Sequence, residues 1–203
     1  MAKVLLGATG SVAAIRVPDL YAALRREGHE VRIIATDAST YFFDPAQIDP
    51  LPGGARNPEV VTLDQDEWPG ERWKRGDPVL HIELRRWADV LLVAPLDAGT
   101  LAKFALGLCD NCLSCVYRAW DRARPIVLAP AMNTLMWQHP ATSRHQEQIA
   151  ADMDEVHWIG PIEKRLACDD VGLGAMAEIP QIVSALADAL AGGLIELPLW
   201  SGL

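Results

Sequence analysis

Ile126-Val127-Leu128-Ala129-Pro130-Ala131-Met132-Asn133-Thr134-Leu135-Met136-Trp137 is the stretch whose reading decides the fold. Its first four residues form a short apolar run that reads as a buried strand. Pro130 carries no N–H and disfavours helix for the residue before it, so the chain is predicted to leave the sheet there. An amide, Asn133, then stands at the carboxyl end of that strand, which is where open α/β sheets put their ligands. The local alternative is a loop in which Asn133 or Thr134 only caps a short helix. Other stretches decide between the two.

The same arrangement recurs along the chain. Val4-Leu5-Leu6-Gly7-Ala8 is a first strand, Thr9-Gly10-Ser11 a tight turn, and Val12 to Arg26 a predicted helix that stops at Gly28. A glycine there lets backbone amides approach an anion, and a helix N-terminus adds about half a positive charge, so a phosphate is expected near Gly10 and Ser11. A plain turn with a serine cap is the alternative. The spacing is not Gly-x-Gly-x-x-Gly and no acidic residue closes the second strand at the ribose offset, which favours a mononucleotide over a dinucleotide. Glu30 to Ala35 is the second strand. The loop after it, Thr36-Asp37-Ala38-Ser39-Thr40, carries hydroxyls that could donate to phosphate oxygens. Val90 to Ala94 is a third strong strand, ending at Pro95, and Leu96-Asp97-Ala98-Gly99-Thr100 opens a helix, Leu101 to Leu106, closed by Gly107. Loops of small residues thus converge on one sheet edge. That is the layout of an α/β, doubly wound parallel sheet with a single cofactor crevice.

The chain has 203 residues, enough for one α/β domain with a sizeable core. We read residues 1–193 as that domain and 194–203, with Trp200, as a tail that packs on it or on a partner. Half of the residues are hydrophobic and the formal net charge is -9, which excludes a disordered chain and disfavours a nucleic-acid partner. The first apolar run is too short for a signal peptide or a membrane span, so a soluble, cytoplasmic protein with a small-molecule partner is expected. Four cysteines fit a reducing compartment. Cys109, Cys112 and Cys115 have a metal-like spacing but fall in a helical pattern from Leu108 to Ala119 with no Gly or Pro to loop around a cluster, so they read as buried thiols. Between Asp44 and Pro78 prolines and glycines break every long period, and only Val60-Val61-Thr62-Leu63 resembles a strand. Trp68 and Trp73 in this excursion are expected to cover a pocket or a neighbouring subunit. Pro140 to Met153 is predicted helical, Glu155 to Ile159 a strand and Ile179 to Ala191 the last helix. Lys164 to Glu178 is glycine-punctuated, holds the isolated Cys168, and reads as a loop able to act as a lid.

Several quoted stretches act together as a signature. Gly10-Ser11-Val12-Ala13-Ala14, His81-Ile82-Glu83-Leu84-Arg85-Arg86-Trp87-Ala88-Asp89, Gly107-Leu108-Cys109-Asp110-Asn111, Pro130 to Trp137 and Leu166-Ala167-Cys168-Asp169 strongly resemble the phosphopantothenoylcysteine decarboxylases. These are homo-oligomeric, flavin-containing cysteine decarboxylases on a flavodoxin-like (Rossmann-like) fold. The similarity spans roughly Lys3 to Leu190, and the Pro-x-Met-Asn-x-x-Met-Trp pattern is specific to cysteine decarboxylases among flavodoxin-like flavoproteins.

The resemblance implies FMN between subunits of a trimer. Carried over by motif, its contacts would be Gly10, Ser11 and Val12; Thr36, Asp37 and Ala38; Asp97, Ala98, Gly99 and Thr100; and Ala131. His81 matches the catalytic histidine, Asn133 the amide that holds the substrate carboxylate, Arg165 and Ala167 the substrate clamp, and Cys168 the proton donor of the last step. The implied reaction converts 4'-phosphopantothenoylcysteine to 4'-phosphopantetheine in coenzyme A biosynthesis. Oxidation of the cysteine side chain supplies the electron sink that a cysteine amide lacks for losing carbon dioxide. Two departures stand out: the family's Ser-Ala-Asn-Thr is Asp97-Ala98-Gly99-Thr100 here, and Ala-Cys-Gly-Asp is Ala167-Cys168-Asp169-Asp170. The first puts a carboxylate beside the flavin, and the second stiffens the lid hinge. The competing readings are a peptidyl-cysteine decarboxylase, a non-catalytic phosphatase-regulatory relative, and an electron-transfer flavodoxin. The Lys164 to Cys168 clamp argues against the first, and the presence of His81, Asn133 and Cys168 in one chain against the other two. No synthetase domain follows residue 203, so the cysteine-ligating step is expected from another chain.

Overall fold

The computed structural model describes residues 1–70, 72–165 and 171–192. Six strands, β1 (Lys3–Ala8), β2 (Glu30–Ala35), β3 (Val61–Leu63), β4 (Val90–Leu96), β5 (Ile126–Pro130) and β6 (Val156–Trp158), form one sheet in the order β3-β2-β1-β4-β5-β6. Every pairing in it is parallel. The helices are α1 (Val17–Arg26), α2 (Asp64–Glu67), α3 (Leu80–Trp87), α4 (Ala98–Leu106), α5 (Cys112–Arg118), α6 (Thr134–Trp137), α7 (Pro140–Asp152) and α8 (Ile179–Leu190). Because side chains alternate across a strand, Val4 and Leu6 of β1 point to a layer with α1 and α8, while Leu5 points to a layer with α3, α4, α5 and α7. Both faces of the sheet are therefore covered, which is why its strands read as continuous apolar runs. Strand order reverses between β1 and β4, and a doubly wound sheet opens its crevice at that point.

Several boundaries differ from the sequence expectation, each for a local reason. The helix predicted from Val12 to Arg26 is two pieces, a 3-10 turn over Val12–Arg16 and then α1. Pro18 has no N–H to give the Ala14 carbonyl, which instead accepts from Val17, three residues on. Pro95 does not end β4. The ladder shifts register between Val93 and Leu96 and resumes with Leu96 opposite Pro130, so β4 runs one residue past its proline, while β5 ends at Pro130, where the chain was expected to leave the sheet. The excursion after Asp44 carries the edge strand β3, paired with β2 through Ile33, Ile34 and Ala35, and then α2. The cysteine helix starts at Cys112, capped by Asn111, and leaves Cys109 exposed in the loop before it while Cys112 is buried.

The segment read as a glycine-punctuated loop is an antiparallel ribbon of β7 (Ile162–Arg165) and β8 (Val171–Ala175). Its glycines are not turn residues. A Cβ on Gly172 would stand 2.5 Å from the Thr134 hydroxyl, and one on Gly174 would run into the Met132 carbonyl oxygen, so they let the ribbon lie against the loop between β5 and α6. Ala167, Cys168, the departure at Asp169 and the tail from residue 194 lie outside the described residues. Among the described residues no helix is long and apolar enough to cross a membrane.

Candidate active site

Three loops meet at the β1/β4 reversal, and hydrogen bonds between them hold it. The Thr9 hydroxyl donates to the Pro95 carbonyl at 2.8 Å and accepts from the Asp97 N–H at 2.7 Å, tying the turn after β1 to the loop after β4. Ala131 donates its N–H to the Leu96 carbonyl at 2.9 Å, adding the loop after β5. Gly10 sits where a Cβ would lie 2.7 Å from the Cβ of Ala38 and 3.1 Å from Oδ2 of Asp97. Glycine is required there because the loop after β2 comes that close. The structure thus brings together Gly10, Ala38, Asp97 and Ala131 as the sequence predicted. Thr36, Asp37, Ala38, Asp97, Gly99 and Thr100 line a crevice of about 330 Å³.

The role expected for the loop hydroxyls is corrected. Thr36 donates to the Ala8 carbonyl, Ser39 to the Thr36 carbonyl and Thr40 to the Asp37 carbonyl, so these groups build the loop rather than face a phosphate. Ser11 begins the Val12–Arg16 turn, its oxygen accepting from the Ala13 N–H. Asp97 caps α4, accepting from the Thr100 N–H at 2.6 Å. The crevice wall also holds Asp64 and Asp110, with Lys103 as its cation. Burial pushes the Asp64 carboxyl up, and the hydrogen bond from Lys103 holds Asp110 below the usual carboxylate range. The residues fit a flavin mononucleotide in kind: the carboxylates would accept from ribityl hydroxyls, and the turn at Gly10 and Val12 would take the phosphate, the Ser11 N–H itself being bound to the Thr9 carbonyl at 2.8 Å.

His81 lies in the first turn of α3 and is held from α2. Glu67 accepts the His81 backbone N–H at 2.9 Å through Oε2, and its Oε1 is 2.5 Å from the ring Nδ1. The glutamate side chain is 4% exposed and the imidazole 23%. The other end of α2, Asp64, accepts the Asp37 and Cys112 N–H groups at 2.9 and 3.3 Å. With about 1.5 Å of rise per residue, that four-residue helix places the histidine's anchor roughly one turn from the crevice wall. Arg56, forked onto Asp66 at 2.6 and 2.9 Å, fixes α2 in turn. Sequence reasoning missed Glu67 and Asp64. Both sit in a proline-broken excursion with no periodicity to mark them.

Asn133 is the N-cap of α6, its Oδ1 accepting from Leu135 at 2.8 Å and Met136 at 3.4 Å. The capping alternative and the ligand reading therefore concern different ends of one amide, since the donors a carboxylate needs are on Nδ2. Met132 gives its N–H to the Gly174 carbonyl at 2.9 Å, so the ribbon that leads toward Arg165 is hydrogen-bonded to the loop that carries Asn133. Trp68 and Trp73, expected to cover a pocket or a neighbouring subunit, are 56% and 62% exposed in the single chain.

Comparison with known proteins finds relatives over nearly the whole chain. The profile of the Flavoprotein family matches residues 1–191. A phosphopantothenoylcysteine decarboxylase of Arabidopsis thaliana is 51% identical over 187 residues, covering 91% of this chain and 83% of that protein. One of Mus musculus is 48% identical, covering 90% and 84%. Among solved structures, a cysteine-to-serine variant of PPC decarboxylase complexed with pantothenoylaminoethenethiol superposes with a TM-score of 0.80 at 49% identity, covering 92% of this chain and 96% of that one. The FMN binding protein AtHal3 does so with a TM-score of 0.78 at 48% identity, covering 95% and 98%.

Proposed function

The chain belongs to the flavoprotein family and, within it, to the phosphopantothenoylcysteine decarboxylases, and from that premise we propose that it decarboxylates 4'-phosphopantothenoylcysteine to 4'-phosphopantetheine with bound FMN. The observation that carries this is the identity of half the sequence to such decarboxylases, maintained over nine-tenths of a chain whose loops form the crevice the cofactor needs. Gly10, Ser11, Val12, Thr36, Asp37, Ala38, Asp97, Ala98, Gly99, Thr100 and Ala131 would hold FMN, Thr36 lining the crevice while its hydroxyl stays on the Ala8 carbonyl. When bound, FMN supplies the two-electron oxidation, and later the reduction, that give the carbon beside the carboxylate an electron sink.

The chain's own groups do the rest. His81 takes up a proton during oxidation of the substrate's side chain. Asn133 and Arg165 hold the substrate. The neutral amide orients the carboxylate without a full positive charge that would oppose its loss. Ala167 completes the clamp and Cys168 returns the last proton, both lying outside the described residues. A relative's bound pantothenoyl chain ends in an ethenethiol, which fits an alkene left where a carboxylate has departed.

The active unit in this proposal is a homotrimer in the cytoplasm. Val12 and Ile15 after the first loop, and Leu135 and Met136 after Asn133, are 44%, 57%, 76% and 48% exposed, and a neighbouring copy would cover them beside the site. Cys109, exposed and unpaired, suits a reducing compartment. The test is the absorption spectrum of the purified protein, followed by carbon dioxide release from 4'-phosphopantothenoylcysteine. A flavin spectrum and turnover are expected. A colourless protein that cannot take up FMN overturns the proposal.

A further inference from the structure

Glu67 is more than a helix anchor. Its carboxylate is almost fully buried yet touches two nitrogens of one residue, the backbone N–H and the ring Nδ1 of His81. A desolvated carboxylate is costly unless donors or a cation meet it, and here the imidazole is that partner. The other groups that face it are the thiols of Cys112 and Cys115 on α5. Burial, then the Glu67 charge, pushes Cys112 up, and the same causes raise Cys115 to about 11. Both thiols therefore remain neutral, Cys115 giving its S–H to the Cys109 carbonyl, and among the described residues His81 is the one ion-pair partner of Glu67.

We propose that Glu67 is the positioning residue of His81. By accepting the Nδ1 proton it fixes the tautomer in which Nε2 is the open proton acceptor, and it stabilises the imidazolium formed when Nε2 takes a proton from substrate. The proton moves from the substrate to Nε2 and Nδ1 keeps its own. Glu67 exchanges no proton in this step. This inference rests on the proposed decarboxylase reading, since it assigns a support to that reaction's base.

Glu67→Gln separates this role from a structural one. A glutamine oxygen still accepts the His81 backbone N–H, so α2 and α3 stay joined. The amide nitrogen, placed against the ring, then donates to Nδ1 and moves the imidazole proton to Nε2, which removes the acceptor. In the FMN-loaded protein kcat should fall at least roughly 100-fold, the ordinary size of a general base's contribution, with KM, bound flavin and Tm near wild type. The double variant with His81→Asn should be no slower than His81→Asn alone, because the two residues act as one unit. Glu67→Asp should recover part of the rate.

The nitrogen resonances of His81 give a readout that needs no substrate. They should report an Nδ1–H tautomer in wild type and an Nε2–H tautomer in Glu67→Gln. A wild-type Nε2–H tautomer, a kcat within twofold of wild type in the glutamine variant, or parallel losses of kcat, flavin and Tm each overturn the positioning role. Failure of the wild-type chain to turn over 4'-phosphopantothenoylcysteine would instead strike the functional reading, and the tautomer measurement would still decide the pairing.

Discussion

The two halves of the proposed site, one for cofactor and one for substrate, are built in different ways. On the cofactor side, loops that leave adjacent strands are tied by short bonds that each use a main-chain group, Ala131 to Leu96 entirely so and Thr9 to Pro95 and Asp97 to Thr9 through the one Thr9 hydroxyl. On the substrate side, pieces arrive from off the sheet. Glu67 alone links α2 to the imidazole of His81, and the β7–β8 ribbon reaches the Asn133 loop through the absence of two side chains. The cofactor side should therefore tolerate side-chain changes better than the substrate side, where one atom group often carries a whole contact.

His81→Asn is the sharpest way to break that comparison. An amide of similar size leaves the crevice loops untouched, so flavin binding should match wild type while carbon dioxide release falls by roughly 100-fold or more. If flavin is lost with the activity, the halves are not separable. Two glycines then set the halves against each other. Gly10→Ala forces a Cβ against Ala38, and Gly174→Ala forces one against the Met132 carbonyl, each an overpacking that costs about 1–3 kcal/mol. The first should lower flavin occupancy at unchanged substrate KM. The second should raise KM several-fold with flavin retained. Equal effects of both on flavin would show that the ribbon is part of the cofactor site.

The difference between the halves also explains what the sequence revealed. Strand, small-residue loop and helix are contiguous in the chain, so the crevice at Gly10, Ala38 and Asp97 followed from local pattern plus the rule that doubly wound sheets bind at their reversal. The hydroxyls of Thr36 and Ser39 misled because residue type does not say whether a hydroxyl turns to the ligand or to a carbonyl, here that of Ala8 on the neighbouring strand for Thr36 and that of Thr36 for Ser39. Pro18 splitting a helix was a signal present in the sequence and outweighed by periodicity. The Glu67–His81 contact spans 14 residues across an excursion without period, and Gly172 and Gly174 look like turn residues until the Met132 and Thr134 atoms they clear are known.

Asp97→Ser probes the cofactor side alone, with a smaller effect. Serine still caps α4, so the helix start survives. What goes is a carboxylate lying 3.1 Å from the point where Gly10 would carry its Cβ, beside the amides proposed for the phosphate. Two charges about 4 Å apart in a well-solvated site repel by about 1 kcal/mol, so flavin should bind roughly fivefold tighter, less so in high salt. Weaker binding, measured by flavin fluorescence titration, would mean that the carboxylate accepts ribityl hydroxyls strongly enough to outweigh the repulsion.

His157 makes the smallest and most revealing contrast, because it too stands beside a glutamate but belongs to the scaffold. It lies on the edge strand β6, 1% exposed, with Glu155 at 3.7 Å, an ion-pair separation too long for a hydrogen bond, and among the described residues neither ring nitrogen has a hydrogen-bond partner. Burial holds this imidazole below its ordinary range, with the Glu155 and Asp188 charges opposing. A histidine whose folded pKa lies below its unfolded value of about 6.5 binds fewer protons in the native state. Its contribution is present in full above about pH 6.5 and is lost as pH falls toward the folded value, so Tm should drop between pH 7 and 5, before the carboxylates of Asp110 and Glu178, both held low by lysine hydrogen bonds, begin to matter. His157→Phe keeps a flat ring and cannot titrate. It should flatten that part of the Tm profile and leave carbon dioxide release at its wild-type rate, whereas His81→Asn should cost the release itself. A slope that persists in His157→Phe would assign the acid sensitivity to another group.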